Sequence, residues 1–134
     1  MSAELSDDLK KLIDDAPVFA AVATLQPDGS PQMSVTWITH DGNDLLIATG
    51  AESRKAKNLR RDPRVTVMIN PPNAPYTYVE VRGTATVSAE GGRELLDELS
   101  RKYTGLAYAD FDPAQGDMEL VAVRVTPVKV VGSL

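Results

Sequence analysis

The chain contains no cysteine, which excludes disulfides, thiolate metal sites, iron–sulfur clusters and cysteine nucleophiles. Its single histidine, His40, excludes a multi-histidine metal centre, and no metal site is expected. His40 stands beside a turn signal with no obvious carboxylate or serine partner, and reads as a surface turn residue. Aromatic residues are only 5% of the chain, too few to interleave with the bases of a nucleic acid. No apolar run approaches the ~20 residues of a membrane span. The start, MSAELSDDLKKL, is acidic and lacks the basic-then-apolar order of a signal peptide, so a cytoplasmic location is expected. What is present is ordinary for a globular protein: 134 residues, 43% hydrophobic and 25% charged. That length suits one domain over residues 1–134, with roughly two-thirds of the unfolded chain's surface buried on folding.

The net charge of −5 argues against general nucleic-acid binding. The charge is unevenly placed. Arg54 to Arg64 holds six of the 14 basic residues and one acid, a net +5 that leaves −10 for the rest of the chain. A local cationic site on an acidic protein points to a small anionic ligand; a solvated helix face is the plainer alternative.

Turn and cap signals divide the chain. Residues 5–15 read as a helix capped by Ser6, with Leu9, Leu12 and Ile13 on one face. Strands are expected at 18–25, 31–39 and 44–49, separated by the turns Pro27-Asp28-Gly29 and Asp41-Gly42-Asn43. In the second strand Met33, Val35 and Trp37 share a face, with Trp37 read as core. Ser53 opens a helix that Asp62-Pro63 ends. Strands follow at 65–70 and 76–88, then a helix over 90–103 with the stripe Leu95, Leu96 and Leu99. Residues 104–117 read as a polar loop holding Gly105, Pro113 and Gly116, without calcium-loop spacing among Asp110, Asp112 and Asp117. A last strand covers 120–126, extendable through 129–131. The expectation is mainly β: a small barrel of about six mostly antiparallel strands with two to three peripheral helices.

The chemistry concentrates in TGAESRKAKNLRRDPRV, Thr49 to Val65. A strand ends, glycine turns the chain, and a serine cap is followed by Arg54 and Lys55 in the first helical turn. Free N–H groups and the positive end of the helix dipole gather there. Cations at that end oppose the dipole, so their presence implies an anion between them. Arginine grips a phosphate bidentately, and lysine adds a compact charge.

The segments Pro31 to Trp37, Leu45 to Thr49, Ser53-Arg54-Lys55-Ala56 and Asp62-Pro63-Arg64-Val65 occur in an order that resembles the pyridoxamine-phosphate-oxidase-like superfamily of flavin-binding split β-barrels. The opening VATLQPDGSPQMSVTW and closing ELVAVRVTPVKVVG extend the likeness over nearly the whole chain. The short length and RKAKNLRRDPRV resemble the branch that uses the deazaflavin coenzyme F420. Other branches use FMN or bind haem. The resemblance implies a homodimer with cofactor sites at the interface. It implies that Arg54 and Lys55 contact the phosphate, that Ser53 faces it, and that Lys57 reaches the same anion or the coenzyme's acidic tail. It also implies that Ser34, Val35, Thr36 and Trp37 run along the ring through backbone groups, with Thr49 near the ribityl chain. FMN-using pyridoxamine phosphate oxidases carry arginine where this chain has Ser34, and their long C-terminal segment has no counterpart, so vitamin B6 oxidation is not expected.

The implied reaction is hydride transfer between F420 and a small electron-poor substrate such as an enone, quinone, nitro compound or tetrapyrrole. The cofactor carries that chemistry and the protein supplies position and electrostatics. No catalytic side chain is named by the sequence; Tyr108, in the loop expected to meet substrate, is the candidate proton donor. Three alternatives stand beside this reading: an FMN-dependent enzyme of the same fold, a non-catalytic F420- or haem-binding protein, and a nucleic-acid-binding barrel using the Arg54–Arg64 patch. The last would require strongly salt-dependent binding.

Overall fold

Ser6 caps the first helix as the sequence suggests. Its hydroxyl accepts from Leu9 N at 3.1 Å, capping helix α1 (Asp7–Asp15), which buries Leu9 and Ile13 completely. The computed structural model describes residues 3–115 and 117–134. Strands β1 (Ala20–Leu25) and β2 (Pro31–Thr36) form a hairpin. Asp28 holds its turn by accepting from Ser30 N at 3.0 Å and Ser30 Oγ at 2.6 Å, and the hydroxyl bond keeps its carboxyl below the usual range.

The single strand expected over 31–39 breaks at Trp37-Ile38. β2 stops at Thr36, and β3 (Thr39–Asp41) pairs with β4 (Asp44–Gly50) through the two-residue turn Gly42-Asn43. The break has a local cause. Ile38 is fully buried, and its backbone is engaged by side chains rather than by a strand. Its N–H donates to the Tyr103 hydroxyl at 3.1 Å, and its carbonyl accepts from Lys102 Nζ at 3.0 Å.

After helix α2 (Arg54–Arg61) come β5 (Arg64–Ile69), β6 (Val79–Ser88), helix α3 (Gly92–Thr104) and β7 (Leu120–Gly132). The seven strands form one antiparallel sheet in the order β2-β1-β5-β6-β7-β4-β3. Seven replaces about six because the 31–39 segment contributes both edges. The late extension of the last strand is real: β7 runs unbroken through Pro127, with a register shift opposite Arg82/Gly83. A Cβ on Gly83 would lie 2.5 Å from the Thr126 carbonyl oxygen and 2.9 Å from a Val125 methyl. Gly83→Ala is expected to destabilise the protein by about 1–3 kcal/mol, read as a lowered midpoint in urea denaturation.

The main core lies between α1, α2 and the sheet, around Ile13, Val22, Ile47, Leu59, Val67, Val81 and Val123. A second cluster forms where Leu95, Leu96 and Leu99 of α3 meet Ala48 and Leu120. The segment expected as a polar loop is more structured. It holds a short helix α4 (Tyr108–Phe111), anchored by Tyr108 N donating to the Asp97 carboxylate at 2.8 Å, and a 3-10 turn at Pro113–Gln115. Gly116 lies outside the described residues. The four α-helices among the described residues exceed the two to three expected. Among the described residues, no helix is long and apolar enough to cross a membrane.

Candidate functional site

Thr49 near the end of β4 and Ser53 ahead of α2 are joined: Thr49 Oγ1 donates to Ser53 Oγ at 3.0 Å. Ser53 Oγ in turn accepts from Ala56 N at 3.1 Å, the expected cap. The backbone N–H groups of Arg54 and Lys55 precede the first intrahelical bond and are left free by helix geometry. No acid occupies this first turn.

Lys55 is the unusual residue. Only 8% of it is exposed, and burial pushes its ammonium below the ordinary lysine range. Its Nζ donates to Ser34 Oγ at 3.2 Å, bridging α2 to β2. Among the described residues no carboxylate lies within ion-pair distance of it. An ammonium has three donors, and a buried charge without a counter-ion is costly. An anion beside Ser34 and the start of α2 would remove that cost.

The six clustered cations do not act as one patch. Arg60 donates to the Ala51 carbonyl at 2.7 Å, and Arg61 to the Leu25 carbonyl. Arg64 grips Asp62 at 2.7 Å, and this pushes the Asp62 carboxyl down to about 2. Lys57 is exposed and stands 3.7 Å from Glu52. Arg54 is exposed beside the β1–β2 turn, where it lines a shallow cavity with Gln26, Pro27, Asp28 and Ser30. Three of the six therefore brace the local backbone or its neighbouring acid. Lys55 alone turns inward.

Along β2, Ser34 and Thr36 are half-buried, whereas Met33 and Val35 on the opposite face are 60% and 70% exposed. Trp37 is not in the main core. It stacks on Tyr103 with ring centroids 5.3 Å apart and meets Phe111 at 5.5 Å. Phe19, Val35, Thr36 and Trp37 line a cavity of about 250 Å³ next to it. Tyr108 packs against the α3 cluster, and burial raises its phenol. No hydrogen bond or ring contact among the described residues links Tyr108 to Lys55 or Ser34.

Two features escaped the sequence. His40 does have a partner: its Nε2 lies 2.9 Å from Asp14 Oδ1, with Nδ1 3.1 Å from the Gly42 carbonyl, which ties β3 to α1. Asn58, in the middle of α2, is fully buried and bonded to Thr24. A buried asparagine inside a helix is a poor helix former, and that was the one signal available.

A family model for pyridoxamine 5'-phosphate oxidase matches residues 5–132. The chain belongs to the pyridoxamine 5'-phosphate oxidase family. Solved structures agree with this. An F420 reductase is 25% identical with a TM-score of 0.78, over 95% of this chain and 98% of the other. The conserved hypothetical protein Rv2991 from Mycobacterium tuberculosis is 26% identical with a TM-score of 0.73, over 96% and 84%. The haem storage protein HutZ from Vibrio cholerae shares the fold at 14% identity and a TM-score of 0.69, over 97% and 95%. The open seven-stranded sheet is thus the split barrel of this family, mainly β with peripheral helices, and the family includes oxidoreductases.

Proposed function

We propose that this protein is a cytoplasmic F420-dependent oxidoreductase that binds the coenzyme's phosphate between Lys55, Ser34 and the N-terminus of α2. The observation that carries this reading is the buried, carboxylate-free Lys55 ammonium 3.2 Å from Ser34 Oγ. A similar F420 reductase supports the choice of coenzyme. Lys55 supplies charge, and the Arg54 and Lys55 N–H groups and the Ser53 hydroxyl supply hydrogen bonds to the phosphate. Arg54 and Lys57 are exposed and would be free to meet the phosphate or the coenzyme's acidic tail, and Thr49 would lie near the ribityl chain. β2 is an edge strand, so alternate residues along Ser34, Val35 and Thr36, with Trp37 just beyond the strand, would offer outward backbone groups to orient the ring. When bound, F420 supplies hydride transfer to or from a small electron-poor organic substrate. The aromatic cavity beside Trp37 offers that substrate an apolar surface free of competing charge.

A homodimer completes the reading. Register places Val35, Ala21 and Met68 in one row across β2, β1 and β5. With Met33 and Phe19 they leave a broad apolar sheet face exposed, which a second copy would cover. Haem binding has less support, because the sole histidine has both ring nitrogens engaged.

Trp37 is the only tryptophan, so its fluorescence reports from the end of β2. Titration is expected to show micromolar F420 binding and much weaker FMN binding. Tight FMN binding would move the protein to an FMN-dependent enzyme of the same fold. No response to either, with phosphate also without effect on stability, would end the cofactor reading.

A further inference from the structure

Behind the Lys55–Ser34 contact lies a second polar bridge between the same two elements. Asn58 and Thr24 are 0% and 1% exposed. Asn58 Nδ2 donates to Thr24 Oγ1 at 3.0 Å and to Gln26 Oε1 at 3.1 Å. Thr24 Oγ1 donates onward to Gln32 Oε1 at 3.0 Å. Arg61 closes the set by donating to Asn58 Oδ1 at 3.3 Å. Asn58 follows Lys55 by three residues and so shares its helix face. Gln32 precedes Ser34 by two and so shares its strand face. Thr24 is the β1 register partner of Gln32, and Val22 that of Ser34. The two bridges are therefore successive rungs between α2 and the β1–β2 hairpin.

We infer that Asn58, Thr24 and Gln32 form a polar spacer that fixes the separation of α2 and β2 and thereby positions Lys55 against Ser34. Leucine would suit burial and helix formation better at position 58. A fully satisfied buried network instead imposes one distance and one orientation, because any shift leaves a buried donor or acceptor unpaired. The residues of the spacer are positioning residues that act through Lys55 and Ser34. Their effect on the coenzyme rests on the function proposed above, whereas their effect on Lys55 does not.

The test uses Thr24→Val, which keeps shape and removes the hydroxyl, and Gln32→Leu, which cuts the outer link at a half-buried position. Thr24→Ser is the conservative variant, and Val67→Ala is a core variant for comparison. Competitive acetylation of the ligand-free protein, read by mass spectrometry, compares Lys55 with exposed Lys57. F420 affinity is read in parallel from Trp37. Both disruptive variants are expected to raise Lys55 acetylation relative to Lys57 and to weaken F420 binding about tenfold, the scale of one lost hydrogen bond. Thr24→Ser is expected to restore both, and Val67→Ala to leave Lys55 protected. An unchanged Lys55 rate in Gln32→Leu, or equal exposure of Lys55 in Val67→Ala, would overturn the spacer. If the wild type binds no F420, the coenzyme reading fails while acetylation still decides the inference.

Discussion

Replacing Lys55 by methionine is expected to stabilise the ligand-free protein and to weaken coenzyme binding at the same time. The ammonium is buried, its burial shifts its titration downward, and Ser34 is its one hydrogen-bond partner among the described residues. Substituting an apolar side chain of similar length for an uncompensated buried charge is neutral or stabilising, by up to about 1–4 kcal/mol. Losing a charge-assisted bond to an anion costs about 1.5–3 kcal/mol, a ten- to hundredfold loss of affinity. Thermal unfolding with and without F420 checks both. A marked fall in stability without ligand would show that Lys55 serves the fold, and the anion site would lose its main support.

The pH dependence has a defined sign. Because its folded-state value lies below the ordinary 10.5, folded Lys55 sheds its proton before the unfolded chain does. Between those two values the unfolded chain binds more protons, so stability rises with pH across that alkaline window. Lys102 is shifted the same way by burial, whereas the raised phenols of Tyr103 and Tyr108 act with the opposite sign, so Lys55→Met is expected to lower the slope relative to the wild type. Anion binding runs oppositely: it weakens as pH rises through the Lys55 titration.

Tyr103 carries the second large effect. Its hydroxyl receives the Ile38 N–H, donates to the Val18 carbonyl, and lies at the point where β2 breaks from β3. Its ring stacks on Trp37 and sits 5.9 Å from Phe19. Tyr103→Phe strands the Ile38 N–H and is expected to cost about 1–3 kcal/mol. Tyr103→Ala also removes the ring and is expected to cost about 3–5 kcal/mol. Urea denaturation followed by Trp37 emission measures both, with a red-shifted native spectrum expected for Tyr103→Ala as Trp37 loses its cover. A cost below 1 kcal/mol for Tyr103→Ala would mean that the strand break is held by other contacts.

Local signals in the sequence determined a good deal. Ser6 and Ser53 cap the helices they precede because a hydroxyl can meet an N–H three residues on, within reach of the local chain. Asp28-Gly29 and Gly42-Asn43 turn where expected. The strand expected over 76–88 forms as 79–88 with Val79, Val81 and Ala85 buried, and the 49–65 segment marked the proposed anion site by residue type alone. The tertiary structure decided the rest, and the reason is separation along the chain. The break at Ile38 depends on Tyr103, 65 residues away, so a run that reads as one strand becomes both edges of the sheet. Alternation told that Met33 and Val35 share a face but not that the face is left open. Among six cations within eleven residues the sequence singled out Arg54 and Lys55, but only folding gave Arg60, Arg61 and Arg64 local acceptors and turned Lys55 toward Ser34, 21 residues distant. Periodicity and capping are properties of neighbours, whereas the pairing of a buried charge is settled only by which distant surface packs against it.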